Sequence, residues 1–342
     1  MKSLLFPNVK CKCICFVLFI FTSTFSSVGS ANAKVIYLSY NGTSDPEKNA
    51  VHLFATNLKS IVEKESNNEI EIKLYPNSIL GKEQERMVQV LHFPSLNIAS
   101  FTGVSALFPE IFVNSIPFAF DDFESARSYY DHGQCWKKLK EEFYSRNNAH
   151  LLAAIEEGGF LAFTNNKQEI RTPSDLKGLK FRAMDKSQVA LYESLGATGT
   201  PIPWTEVYMA LKMGVADGQI NPPMYIIMGG LYEVQKYLTL ANITHSVQFL
   251  IGNDELLVNL SEKHKEVLYR AIEKANEINR RSVESLASKR IDYLKKRGLV
   301  VYKPNKDEMD LFRNATNESY ISWLKKLDID ENWIELALQD MK

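Results

Sequence analysis

The sequence predicts an α/β protein of two lobes, each built on a mostly parallel sheet flanked by helices. Short apolar strand patterns alternate with amphipathic helix patterns along the chain, and such alternation is typical of parallel sheets covered by helices. About 309 residues follow an export-type leader, more than one hydrophobic core usually holds. No Gly/Ser-rich or Pro-rich linker divides them. We therefore expect two lobes joined by several crossings of the chain.

The N-terminus has the pattern of a secretory signal peptide. Three lysines and no acids accompany an unbroken apolar run over residues 14–21, and an A-x-A cleavage pattern ends at Ala33. A retained signal anchor is the alternative, but the run is shorter than the about 20 residues that span a bilayer. We predict a signal peptide over residues 1–33 and a mature chain that begins near Lys34.

Composition and charge argue against several classes of protein. Without the leader, the chain has 37 basic and 41 acidic residues and a net charge of −4, whereas a nucleic-acid binder is expected to present a basic face. One cysteine remains, Cys135, so no disulfide can form within the chain; we interpret it as a partly buried small residue beside Trp136. No metal-ligand spacing such as CxxC or HExxH occurs, so neither a metal nor a cofactor is expected.

The first lobe begins with alternating strands and helices. Strands are predicted over 35–40, 70–75 and 98–101, with helices over 46–67 and 82–91 between them. In such folds, ligands bind beyond the carboxyl ends of the strands. Tyr40 and Asn41 after the first strand, and Thr102 after the third, are therefore candidate binding residues. Each of them fits an ordinary turn equally well.

The chain is predicted to cross between the lobes at a Glu-Glu-Gly-Gly segment, residues 156–159. A buried-type strand over 151–155 precedes this crossing, and a strand over 160–164 follows it. The segment 243–250 leads back to the first lobe. His245 lies at this return, and a structural histidine held by hydrogen bonds is favoured there over a ligand contact.

One helical pattern is unusually long. It runs from Ser261 to about Lys296, against a typical helix of about 11–12 residues. A coiled coil is the alternative, but the apolar positions do not keep a strict heptad. Two more amphipathic helices are predicted in the tail. The predicted lobes are residues 34–158 with 247–286, and residues 159–246 with 287–342.

The segment from 176 to 222 holds three candidate binding residues at the ends of elements. Arg182 lies near the end of a short strand, Trp204 follows an extended Pro-Ile-Pro stretch, and Asn221 opens another extended stretch. A guanidinium makes two parallel hydrogen bonds to a carboxylate, and an amide both donates and accepts. Trp204 offers a flat apolar wall. A surface ion pair for Arg182 and core packing for Trp204 are the alternatives.

These residues also carry a family resemblance. LKGLKFRAMD, PIPWTEVYMAL and VADGQINP, in that order and spacing, resemble the solute-binding proteins of TRAP transporters, which include C4-dicarboxylate and sialic-acid binders. In the first half, GTSDPEKNAVHLFA and LYPNSILGKEQERMVQVL resemble the opening elements of the same family. The resemblance implies a periplasmic-binding-protein fold with a long helix spanning both lobes, and Arg182 as the carboxylate anchor. It implies capture of a small organic acid in the periplasm and delivery to the TRAP membrane permease for ion-coupled uptake.

One position departs from the pattern of the sialic-acid binders. Those relatives carry a second arginine on the first strand of the second lobe, and the matching residue here is Leu161. A leucine side chain donates no hydrogen bond. We therefore expect a ligand with one carboxylate and a compact or partly apolar remainder, with Leu161 in the wall that it meets. A dicarboxylate held by other donors stays open.

Other functions are weighed against this interpretation. The sequence lacks a nucleophile elbow, a Gly-rich phosphate loop and a metal cluster, so we expect no enzyme. The alternative is a periplasmic carboxylate-binding protein that serves a sensor or an ABC-type importer, and the family blocks favour the TRAP function. We expect a monomer that closes around its ligand, because a ligand that binds the closed state better shifts the equilibrium toward it.

Overall fold

The structure is a computed structural model that describes residues 33–341. The predicted signal peptide, residues 1–33, lies outside the described residues apart from Ala33. None of the helices within residues 33–341 combines the length and the apolar character that a membrane crossing requires.

The elements alternate along the chain as the sequence predicts. The strands are β1 (Lys34–Ser39), β2 (Ile70–Tyr75), β3 (Leu96–Ala99), β4 (Ala149–Phe160), β5 (Ala162–Asn165), β6 (Lys180–Ala183), β7 (Thr198–Pro201), β8 (Gly218–Asn221), β9 (Tyr237–Thr239), β10 (His245–Asn253) and β11 (Val300–Tyr302). The α-helices are α1 (Ala50–Glu65), α2 (Glu83–His92), α3 (Phe101–Ser105), α4 (Phe123–His132), α5 (Gln134–Asn147), α6 (Lys186–Ser194), α7 (Val207–Lys212), α8 (Pro223–Met228), α9 (Asp254–Val258), α10 (Glu262–Ser285), α11 (Ala287–Lys296), α12 (Lys306–Lys326) and α13 (Glu331–Asp340). Short 3₁₀ turns occupy Pro109–Ser115, Pro173–Leu176, Trp204–Glu206 and Leu231–Glu233.

Two sheets form the cores of the two lobes. The first has the strand order β2-β1-β3-β10-β4, and the second has the order β11-β9-β5-β8-β6-β7. In the first sheet only β10 runs antiparallel to its neighbours β3 and β4. In the second sheet only β5 runs antiparallel to its neighbours β8 and β9. The mostly parallel sheets that the sequence predicts are confirmed, and the antiparallel strand of each sheet is the one that follows a crossing from the other lobe.

The double glycine of the first crossing lies inside a strand. The sequence predicts a strand over 151–155 followed by a break, whereas β4 continues through Gly158 and Gly159 to Phe160. Both glycines have positive φ, 154° and 97° respectively, which side chains disfavour. A Cβ added to Gly158 would lie 2.8 Å from the Cβ of Met224 on α8. Glycine thus lets the strand bend between the lobes while α8 packs closely against it.

The long helical pattern is confirmed in extent but is broken. α10 ends at Ser285 and α11 begins at Ala287, with Leu286 between them at φ −99° and ψ −3°. α10 packs against α1 and β4 of the first lobe, whereas α11 packs against α8 of the second. The helical segment formed by α10 and α11 therefore contacts both lobes.

The tail helices join the two halves of the molecule. α12 packs on α6 of the second lobe, while α13 packs on α5 of the first. The Phe312 ring on α12 lies 5.8 Å from the Phe118 ring and 6.1 Å from the Phe163 ring, which belong to different lobes. The exact lobe boundaries stay a prediction.

Candidate functional site

Arg182 is buried near the carboxyl end of β6, with 4% of its surface exposed. Its Nε–H donates to the carbonyl oxygen of Ile202 over 2.9 Å, which fixes one edge of the guanidinium. Burial lowers the pKa of Arg182, while Tyr192 and the carboxylates of Asp185, Glu83 and Glu157 raise it through their charge. The arginine is therefore a desolvated cation with acidic groups near it.

The same acidic groups influence each other from different parts of the chain. Burial raises the pKa of Glu83 at the start of α2, and the charge of Glu157 on β4 adds to that increase. Burial raises the pKa of Tyr225 on α8 well above its usual value, and Glu157 and Glu83 raise it further. Gln248 Nε2 on β10 donates to Glu157 Oε1 over 2.5 Å and lies 3.5 Å from the Tyr225 hydroxyl, so side chains of the two lobes meet here. Since the charges of Glu83 and Glu157 also act on Arg182, we group Arg182, Glu83, Glu157 and Tyr225 as one region. We call this region the cleft.

Asn221 lies on the same sheet face as Arg182. Arg182 is in register with Gln219 of the neighbouring strand β8, and Asn221 follows two residues later. Side chains alternate along a strand, so these three share one face. Asn221 Nδ2 donates to Gln219 Oε1 over 2.5 Å, and Gln219 Nε2 donates to Thr164 Oγ1 over 2.7 Å. Thr164, Gln219 and Asn221 therefore form a row of hydrogen-bonded side chains. The row extends from the interior of the sheet toward the carboxyl end of β8, where ligands are expected.

Leu161 lies at the hinge, between β4 and β5. Its N–H donates to the carbonyl oxygen of Thr244, and its own carbonyl oxygen accepts from the N–H of Ile243, so it joins the two crossings of the chain. Ala162 is the residue in register with Asn221. Ala162 therefore shares the face of Asn221 and Arg182, and continuing the alternation back by one residue puts the Leu161 side chain on the opposite face.

Trp204 lines a cavity between the lobes. The cavity has a volume of about 280 Å³ and is lined by Gly42, Thr43, Asn77, Ser78, Trp204, Thr205, Val207, Tyr208, Met228, Gly229 and Leu231. The Trp204 ring meets the Tyr225 ring edge-on at 5.5 Å, so Trp204 lines this cavity and also contacts a residue of the cleft. Neither Arg182 nor Asn221 lines the cavity itself.

The candidates after β1 have different surroundings. Tyr40 is fully buried in the core of the first lobe, and its hydroxyl lies 2.6 Å from His52 Nδ1. Asn41 is half-buried, accepts from Ser78 Oγ over 2.6 Å, and donates to Glu83 Oε1 over 3.4 Å. Asn41 therefore contacts Glu83 of the cleft, whereas Tyr40 packs in the core beneath the turn that carries Asn41.

Thr102 joins the first lobe to the second. Its hydroxyl donates to the carbonyl oxygen of Met184 over 3.3 Å and lies 3.4 Å from Asp185 Oδ2. Asp185 caps α6 by accepting from the backbone N–H groups of Ser187 and Gln188. Thr102 thus contacts the second lobe two to three residues beyond Arg182 along the chain.

Comparison with known proteins identifies the family. Residues 41–326 match the model of the bacterial extracellular solute-binding proteins, family 7. The chain belongs to this family. It is therefore a periplasmic solute-binding protein of the TRAP type, and such proteins bind substrates for transporters and are not enzymes.

Relatives of this TRAP solute-binding protein match over most of its length. A solute-binding protein of Verminephrobacter eiseniae is 31% identical over 242 residues, 70% of this chain and 71% of the relative. The 2,3-diketo-L-gulonate-binding periplasmic protein YiaO of Escherichia coli is 26% identical over 295 residues, which are 86% of this chain and 88% of the relative. The crystal structure of a TRAP periplasmic solute-binding protein from Polaromonas sp. JS666, bound to D-erythronate, has 29% identity and a TM-score of 0.80, and the match covers 89% of this chain and 98% of that one.

Several polar residues of the cleft are missed by the sequence analysis. Glu83 accepts from the Ser100 N–H over 2.5 Å and from Ser100 Oγ over 2.9 Å. Glu157 accepts from Ser246 Oγ over 2.6 Å and from Gln248 Nε2 over 2.5 Å. Their partners lie 17 to 91 residues away along the chain, so no local pattern indicates them. Glu83 does lie within the family-like block LYPNSILGKEQERMVQVL, which was the one available signal.

The adjacent acid, Glu156, serves the scaffold of this TRAP solute-binding protein. Arg127 on α4 binds both carboxylate oxygens of Glu156, at 2.7 and 3.1 Å, and also binds Glu284 on α10. Strand alternation turns Glu156 and Glu157 to opposite faces of β4. One acid therefore ties the crossing strand to the helices, and the other faces the cleft.

His245 corrects one expectation, and Cys135 is buried more deeply than the partial burial that the sequence predicts. The sequence favours a histidine held by hydrogen bonds, but neither ring nitrogen of His245 has a hydrogen-bond partner among residues 33–341, and Nε2 lies 3.6 Å from Glu156 Oε1. The ring packs against Phe123 and Phe160, and burial, together with Arg127 and a second arginine, lowers its pKa to about 3. Cys135 is fully buried, and burial raises its pKa to about 11. No group of three metal-ligating side chains is gathered in the described part of the chain.

Proposed function

We propose that this TRAP solute-binding protein captures a small organic acid by one carboxylate, closes around it as a monomer, and delivers it to the TRAP membrane permease. One observation carries the proposal: Arg182 is a buried cation, 4% exposed, near the carboxyl end of β6. The hydrogen bond from its Nε–H to the carbonyl oxygen of Ile202 fixes its orientation. Taking a guanidinium out of water is costly unless an anion compensates it. A ligand carboxylate supplies that anion and accepts two parallel hydrogen bonds.

The remaining candidates have distinct proposed roles. Asn221 binds a carboxylate oxygen or an adjacent hydroxyl, and Trp204 covers the carbon skeleton. Asn41 and Thr102 contribute polar groups from the first lobe, and Tyr40 holds the turn that carries Asn41. Leu161 limits the space near the hinge and leaves the site without a second arginine. Support for these roles comes from the shared sheet face of Arg182 and Asn221 and from the contact of Asn41 with Glu83.

The relatives' ligands agree with a carboxylate anchor. Solved structures similar to this one include a sugar-acid-binding protein of Advenella mimigardefordensis in complex with galactonate, at 25% identity, a TM-score of 0.82, and coverage of 90% of this chain and 98% of that one. Galactonate, D-erythronate and 2,3-diketo-L-gulonate each carry a carboxylate. Such ligands suit a site with one buried arginine.

A thermal-shift screen of organic acids tests the proposal. A ligand that binds only the folded state raises stability by mass action, by about 2.7 kcal/mol at a concentration of 100 Kd. We expect at least one carboxylic acid to raise the melting temperature and its methyl ester to have no effect. An acid found in this way should also be taken up by vesicles that contain the cognate permease only when the binding protein is added. No response to any acid, or equal responses to acid and ester, would contradict the proposal.

A further inference from the structure

We propose that the cleft selects monocarboxylic acids whose carbon chain carries hydroxyl groups, and that Glu83, Glu157 and Gln248 bind those hydroxyls. This inference rests on the proposed function, since it takes the carboxylate to be held at Arg182. It concerns the other end of the same ligand. Three observations carry it: two carboxylates at the cleft, a buried amide oxygen that has no donor among residues 33–341, and hydrogen bonds that already engage the nearby Arg86 guanidinium.

Two carboxylates offer acceptor sites to a ligand in the cleft. Glu83 on α2 and Glu157 on β4 both belong to the first lobe, and both influence Arg182 of the second lobe through their charge. An ionised carboxylate offers about four lone-pair sites. Glu157 receives hydrogen bonds from Ser246 and Gln248, so acceptor sites remain on its two oxygens. Ligand hydroxyls are donors that can use them.

Gln248 has an amide oxygen that lacks a donor. The side chain is 2% exposed, and its Nε2 donates to Glu157 Oε1 over 2.5 Å, which fixes the orientation of the amide. Within residues 33–341, Gln248 Oε1 has no hydrogen-bond partner. A buried acceptor without a partner is unfavourable, and a ligand hydroxyl removes that cost. The neighbouring Tyr225 hydroxyl lies 3.5 Å from Gln248 Nε2, so the group belongs to the cleft.

A dicarboxylate fits these surroundings poorly. Its second carboxylate would meet Glu83 and Glu157, and like charges repel strongly where water is excluded. The arginine that influences Glu83, Arg86, is fully buried in the first lobe. Its guanidinium already donates to Asn97 Oδ1 and to the carbonyl oxygens of Gly81 and Ile98. A plain alkyl chain also fits poorly, because it would cover carboxylates without supplying donors.

A matched set of four-carbon acids tests the inference by calorimetry on the mature protein. The set contains D-erythronate, butanoate, succinate and 4-aminobutanoate, which differ in the groups on the carbons beyond one shared carboxylate. We expect erythronate to bind at least about tenfold more tightly than butanoate, which leaves buried acceptors unpaired, and than succinate, whose second carboxylate meets like charges. 4-Aminobutanoate tests whether the site prefers a cation to hydroxyl groups. Tightest binding of butanoate, succinate or 4-aminobutanoate would overturn the inference and leave the carboxylate-binding function intact. Binding of none of these acids, nor of longer hydroxy acids such as gluconate, would instead count against the proposed function.

Two glutamine variants locate the hydroxyl contact. Gln248→Leu should weaken erythronate binding about tenfold and leave butanoate binding within about twofold, so that the preference collapses. Gln235→Leu is the matched control. Gln235 is also buried with an unpartnered Oε1, but it lies beside Asp217, at the end of β8 away from Asn221. An unchanged preference in a folded Gln248→Leu protein, judged by its circular dichroism, would refute the role of Gln248.

Discussion

Removing the guanidinium of Arg182 should abolish ligand binding while leaving the fold intact. Truncating one partner of a buried, hydrogen-bonded charge pair costs about 2–5 kcal/mol, which is roughly a 30- to 5,000-fold increase in Kd. Arg182 is 4% exposed and lies near the carboxylates of Asp185, Glu83 and Glu157. Without it, a ligand carboxylate would face three acids and no cation, so Arg182→Ala should fall in the upper part of that range.

The size of the thermal shift follows from this increase in Kd. A ligand at 100 times the wild-type Kd stabilises the folded protein by about 2.7 kcal/mol. A hundredfold weaker Kd leaves about 0.4 kcal/mol at the same concentration, which is close to the limit of detection by melting temperature. Calorimetry should then measure the remaining affinity directly.

Two further variants make the assay specific. Arg182→Lys keeps the charge but loses both the bond from Nε to Ile202 and the two-pronged geometry, so we expect binding at least about tenfold weaker than wild type. Arg270→Ala removes an exposed arginine that pairs with Glu65 on α1, and binding should be unchanged. If Arg182→Ala bound the best acid within about threefold of wild type, a difference below roughly 0.7 kcal/mol, Arg182 would not be the anchor.

Three more predictions concern acid stability, the crossing strand and closure. The folded pKa of His245 is about 3 against an ordinary 6.5, so the unfolded chain binds the extra proton as pH falls below 6.5 and stability declines toward pH 3. At pH 4.5 the difference between the two pKa values lowers the free energy of unfolding by about 2.7 kcal/mol. Urea unfolding of His245→Phe should therefore show a correspondingly smaller loss of stability between pH 8 and pH 4.5 than the wild type. An equal loss in both proteins would show that His245 is not buried in its neutral form. Gly158→Ala should destabilise the protein by more than about 1 kcal/mol, because it adds a clash with Met224 to an unfavourable φ, whereas Gly178→Ala at φ 78° meets no neighbour and should cost less in thermal unfolding. Solution scattering should give a smaller radius of gyration with bound ligand than without it, and an unchanged radius would argue against hinge closure.

Local periodicity was enough to predict much of the fold. Ile70–Tyr75 alternates apolar and polar residues, and β2 has those bounds. The apolar stripe after Ser261 likewise extends as far as Lys296, although the break at Leu286 has no Pro or Gly to mark it. The antiparallel insertion of β5 and β10 was not predictable, because strand pairing depends on contacts between distant parts of the chain.

The candidate site was predicted only in part, for a similar physical reason. Arg182 and Asn221 occur in family-like blocks at strand ends, so both motif and position indicated them. Glu157 and Gln248 lie 91 residues apart, and their contact exists only because β4 pairs with β10. The neighbouring Glu156 has the same residue type and a structural role, so the sequence could not distinguish the two acids before the strand register was known.

A crystal structure of the mature protein with the acid that gives the largest thermal shift would show whether Arg182 is the carboxylate anchor. We expect one ligand carboxylate between the lobes, with its two oxygens within about 2.7–3.2 Å of the terminal nitrogens of Arg182. A ligand carboxylate bound elsewhere, with the Arg182 guanidinium contacting only protein atoms, would refute the role of Arg182.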